Sequence, residues 1–85
     1  MPIFSKHLHE MLQQRNIAAS WVHRAINEPD STESHDDGAT MHYLKKIVEN
    51  DNRWLRVVVN IQDVPSKAVT AFFDRRLRRK DENYR

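Results

Sequence analysis

The chain has 85 residues, of which 39% are hydrophobic and 31% charged, with a formal net charge of +2, one glycine and no cysteine. A chain this short buries only about 60% of the surface its unfolded form exposes, which limits it to one modest core and a single domain over residues 1–85. Without cysteine there is no disulfide, thiol chemistry or zinc ribbon, and with Gly38 alone neither a dinucleotide fingerprint nor a P-loop can be written, so no cofactor is expected.

Residues 5–15 place Leu8, Met11 and Leu12 on one helical face, with Ser5 as N-cap and Asn16 as a left-handed stop. A second helix is expected over about 18–28, where Trp21, Val22, Ala25 and Ile26 share a face and Pro29 ends the run. The two helices are expected to pack as a hairpin. The acidic segment 28–39 reads as a turn and short edge strand around Asp36, Asp37 and Gly38.

Residues 40–48 are ambiguous from periodicity: Met41, Leu44, Ile47 and Val48 fit a helix, whereas Met41, Tyr43 and Ile47 fit one face of a strand. The segment 53–61 is clearer, because Leu55, Val57, Val59 and Ile61 alternate with Trp54, Arg56, Val58 and Asn60. A turn at 62–66 leads to a further β-branched and aromatic run, 68–74. The fold expected is α+β: two N-terminal helices packed on one face of a curved antiparallel sheet of three to four strands. Its other face or rim stays open, and function is expected there.

No stretch of about 18 apolar residues exists, and Met1 to Ser5 lacks the basic and apolar regions of a signal peptide. The expectation is a cytoplasmic protein without membrane association. Charge is segregated along the chain. Glu28, Asp30, Glu33, Asp36 and Asp37 stand with no lysine or arginine among them, while the tail 75–85 carries Arg75, Arg76, Arg78, Arg79, Lys80 and Arg85. Such a tail is either a footprint for phosphate or a solvated end, and the two charged segments could also pair between copies to give a homo-oligomer.

Five histidines raise the question of a metal. His7 and His9 diverge by about 200° on a helix, and His23, His35 and His42 lie on other elements, so no metal site is expected. No carboxylate pair stands out at a helical or cross-strand spacing, and no serine is flanked by the glycines of a nucleophile elbow. What remains is basic and aromatic. His42, Lys45 and Lys46 on one strand, Arg53 and Arg56 on the next, and Arg75 and Arg76 after the last would form a surface for single-stranded RNA, with Tyr43, Trp54 and Tyr84 to stack bases. The alternative is that Tyr43 and Trp54 belong to the core and the arginines blunt strand edges. RNA can be cut without a metal when a base takes the 2′-hydroxyl proton, cations stabilise the phosphorane and an acid protonates the leaving oxygen.

Ser5-Lys6-His7, Met11, Gln14-Arg15-Asn16-Ile17, Val22 and Asn27-Glu28-Pro29 resemble the opening of a bacterial family, domain-of-unknown-function 4258. Tyr43-x-Lys45-x-Ile47, Arg56-Val57-Val58-Val59 and the run Val69 to Arg76 resemble its second half. The family is similar in pattern to BrnT and more remotely to the RelE and ParE toxins. The resemblance implies a strand for 40–48 and a role as the ribonuclease of a toxin–antitoxin pair, with RNA and a cognate antitoxin as partners; ParE-like members, however, do not cleave RNA. By position it points to His7 and Arg15 on the first helix, to Lys45 and to Arg75. The chain departs from the pattern at Asn16, where the family has glycine, and at Ala18, where it has serine or threonine.

On this reading His7 or His42 is the acid or base. Lys45, Lys46, Arg56 and Arg75 hold phosphate, Arg15 and Arg76 line the substrate, and Tyr84 stacks. His7 and Arg15 could instead serve only to join helix and sheet. The competing function is a non-catalytic module that binds nucleic acid or a partner protein through its basic rim.

Overall fold

The computed structural model describes residues 2–77. In chain order it contains β1 (Ile3–Phe4), α1 (Lys6–Arg15), α2 (Ala19–Asn27), β2 (Ser31–His35), β3 (Thr40–Ile47), β4 (Arg53–Asn60) and β5 (Lys67–Phe73). The strands form one sheet in the order β1-β5-β4-β3-β2. The α+β class and the two N-terminal helices agree with the sequence reading. The strand count does not: the described residues form five strands rather than three or four, and the sheet is not wholly antiparallel. β1 lies parallel to β5, pairing Ile3 with Lys67 and Phe4 with Ala68. Two residues are too few to carry a period, which is why this strand left no trace in the pattern.

Local chemistry sets the helix ends. The Ser5 hydroxyl accepts a hydrogen bond from the Leu8 amide at 3.0 Å, and Asn16 adopts φ 54° with its N–H turned back to the Gln13 and Leu12 carbonyls. Ala18, at the N-cap of α2, makes no side-chain bond, so that helix is held chiefly by burial of Val22 and Ala25. Each helix packs on the sheet rather than on its neighbour, α1 over β5 and α2 over β4 and β3. The expected hairpin is therefore a hairpin of connection, with the sheet as the shared partner.

Leu55, Val57 and Val59 of β4 point toward the helices and are fully buried with Leu8, Val22, Ile47 and Ala71. The intervening Trp54, Arg56, Val58 and Asn60 face away, as strand alternation requires. The ambiguous segment 40–48 is strand through Ile47; Val48 is 71% exposed in a 3-10 turn, so the helical pattern that counted it as apolar face fails there. The β2–β3 turn uses left-handed residues Asp36, Asp37 and Gly38, and the β3–β4 turn uses Asp51 and Asn52. Aspartate, asparagine and glycine tolerate that conformation best. Among the described residues no helix is long and apolar enough to cross a membrane.

Candidate functional site

The sheet face away from the helices carries a connected polar cluster. The tight β2–β3 turn sets Glu33 opposite His42 and His35 opposite Thr40, while β4 places Arg56 between Leu44 of β3 and Phe72 of β5. Facing residues in neighbouring strands project to the same side, so these side chains meet. Arg56 is only 6% exposed, in the middle of an apolar strand. Its Nε donates to Asp74 Oδ2 at 2.9 Å, and its Nη1 donates to Glu33 Oε1 and to His42 Nδ1, each at 2.8 Å.

Asp74, just past β5 and 4% exposed, also accepts from the Arg76 amide at 3.0 Å and from the Arg76 guanidinium at 3.3 Å. The His35 ring stacks on His42 with centroids 3.8 Å apart, and its Nε2 lies 2.9 Å from Glu33 Oε1. Together with Phe72 and Leu77 these residues line an open cleft of about 410 Å³.

Arginine can only donate, so His42 Nδ1 must accept and the neutral imidazole carries its proton on Nε2. Burial pushes the His42 pKa below the usual histidine value, and the nearby His35 and Arg56 charges add to that. Both effects favour the neutral form of free His42. Hydrogen bonds from Arg56 and His35 lower Glu33 from 4.5 to about 2. For Asp74 burial pushes upward, but bonds from the Arg76 side chain and amide and from Arg56 outweigh it, and the carboxyl stays below its ordinary range.

Glu33, His35 and His42 bring potential ligand atoms within 4.8 Å of one another. The expectation that the histidines lie apart is corrected here, because the hairpin joins two of them. The arrangement still suits protons and anions better than a cation. The stacked rings are inclined by only 21°, so their in-plane lone pairs run side by side rather than converging, and the Arg56 guanidinium already occupies both Glu33 and His42.

Of the residues singled out from the sequence, His42, Arg56 and Arg76 come together in the cleft. His7 is exposed on α1, in the helix layer on the other side of the sheet. Arg15 donates to the Ala71 carbonyl at 3.0 Å, a helix-to-sheet tie. Lys45 faces the helix side, opposite Leu55, with Nζ 3.4 Å from Asp30 Oδ1. Lys46 shares the open face with Trp54, and its amide donates to Asp30 Oδ2. Arg75 is exposed and lines a separate, smaller pocket. Tyr84 and the tail beyond residue 77 lie outside the described residues.

Sequence reasoning missed Glu33, His35 and Asp74. For the first two the signal was present: reflecting the chain about Asp37-Gly38 pairs Glu33 with His42. Arg56 inside the run Leu55 to Val59 was likewise a sign that a buried carboxylate must lie nearby.

A family model described as "Domain of unknown function (DUF4258)" matches residues 4–73, most of the chain. No curated protein and no solved structure matches it.

Proposed function

On the premise that the chain belongs to the DUF4258 family, we propose that it is a metal-independent endoribonuclease, acting as the toxin of a toxin–antitoxin pair. The observation that carries this reading is the contact of one buried arginine with a carboxylate and an imidazole at the floor of an open cleft. Those are the three group types that cleavage through the 2′-hydroxyl needs.

A scissile phosphate docking against Arg56 and Arg76 displaces Glu33 from the guanidinium. Freed of that cation, the Glu33 carboxylate becomes more basic and takes the 2′-hydroxyl proton as the 2′-oxygen bonds to phosphorus. The incoming negative charge also offsets the Arg56 charge that disfavours protonation of His42. As Arg56 turns to the phosphate it releases His42 Nδ1, which takes a proton from solvent, and the imidazolium gives its Nε2 proton to the 5′-oxygen as the P–O5′ bond breaks, leaving a 2′,3′-cyclic phosphate. Asp74 holds Arg56 in place. An antitoxin protein would silence the activity by covering this cleft.

The test is cleavage of structured and unstructured RNA in excess chelator, with end-group analysis. Wild type should yield 2′,3′-cyclic ends, and Glu33→Gln and His42→Ala should each lower the rate by about 10²–10⁴-fold. No cleavage by wild type, or equal rates for all three chains, refutes it. The second reading, a non-catalytic module that binds nucleic acid or a partner protein, is favoured by the exposure of Arg75 and Arg76 at the end of the sheet. RNA binding without cleavage, with log affinity falling linearly in log salt, would establish its nucleic-acid form. Salt-insensitive capture of a protein would establish the other.

A further inference from the structure

A second concavity, of about 170 Å³, adjoins the cleft across Asp74 and is lined by Arg53, Trp54, Phe73, Asp74 and Arg75. Three features distinguish it from an accidental dent. The Trp54 indole Nε1 is buried and has no hydrogen-bond partner among the described residues. Indole nitrogen is a donor only, so a buried one without an acceptor is destabilising until something supplies an oxygen or ring nitrogen. Arg53 and Arg75 have no carboxylate partner among the described residues, in contrast to Arg56 and Arg76 beside them. The wall also joins aromatic surface to cationic groups, the combination that takes a base together with its phosphate. The volume lies well below the roughly 300–1,000 Å³ of sites for whole drug-sized ligands, so it admits one base rather than an extended cofactor.

We propose that this pocket is a nucleotide subsite: a nucleobase packs against Trp54 and, with a turn of the indole that uncovers its N–H, presents an acceptor to it, while Arg53 and Arg75 hold the attached phosphate. The choice of a nucleotide as ligand rests on the cleavage reading of the adjoining cleft. In RNA the occupant is a residue neighbouring the scissile bond, which makes the pocket the place where base preference is set.

The experiment is an NMR titration of the full-length chain carrying Trp21→Phe, in which the one remaining indole N–H resonance belongs to Trp54. The probes are the four nucleoside 5′-monophosphates and inorganic phosphate. At least one nucleotide should shift the resonance saturably near about 1 mM, inorganic phosphate should not, and Arg53→Ala or Arg75→Ala should each weaken binding about tenfold. Should Trp21→Phe not fold, the wild-type chain gives the same readout from its two indole resonances. An indole unmoved by all four nucleotides, or moved equally by phosphate, overturns the subsite. The readout does not require turnover: nucleotide binding by a chain that leaves RNA intact refutes the cleavage reading and keeps the subsite, whereas cleavage with a silent indole does the reverse.

Discussion

Arg56 is a charged residue in a strand whose neighbours Leu55 and Val57 are fully buried. A guanidinium in that setting is tolerable only when its donors are matched, and Glu33, Asp74 and His42 match them. Removing one partner leaves a buried charge short of compensation. Asp74→Ala should therefore lower stability by about 3 kcal/mol in urea unfolding, and pairing Arg56→Met with Asp74→Leu should recover most of that loss. Acid should act on the same cluster. Glu33 is held at about 2 against an ordinary 4.5, so its contribution is complete above about pH 4.5 and is lost as pH falls toward 2. Unfolding curves recorded across that window should show a shallower acid decline in Glu33→Gln. The rest of the decline stays with Asp74, also held below its ordinary range, and with Glu49, which its pairing with Arg24 holds at about 2. Catalysis, on the proposed reading, needs Glu33 ionised and His42 protonated. Because free His42 titrates below the ordinary 6.5, kcat/KM should peak on the acid side of that value and fall as pH rises. An optimum at alkaline pH would contradict the assignment of His42 as the acid.

At the level of elements, the parts governed by short-range chemistry were legible and those governed by pairing were not. Ser5 and Asn16 mark the ends of α1 because their side chains and backbone preferences act within a few residues. Ser5→Ala should cost about 1 kcal/mol by thermal or urea unfolding, whereas Asn16→Gly, at φ 54°, should be neutral or slightly stabilising. The alternation of β4 was equally plain, since one of its faces is wholly apolar. β1 was invisible because its identity comes from a neighbour at the far end of the chain. The site failed at the same boundary. His42, Arg56 and Arg76 could be suspected one by one, but Glu33 and Asp74 matter only through register, which no single segment contains. Lys45 and His7 were assigned to the site by residue type and pattern, and the sheet itself divides them from His42.

For the molecule as a whole, both helices on one face leave the other free for the cleft, while the smaller pocket sits at the end of the sheet, where Trp54 of the open face meets Arg53 and Phe73 of the helix side. The order of the strands adds a temporal consequence. Among the described residues the first strand of the sheet pairs only with the last, and Asp74 and Arg76 follow that last strand directly. During synthesis, Glu33, His42 and Arg56 leave the ribosome before the carboxylate that anchors the arginine exists. A nascent chain therefore carries these side chains without their arrangement until the last strand of the sheet and the residues that follow it have emerged.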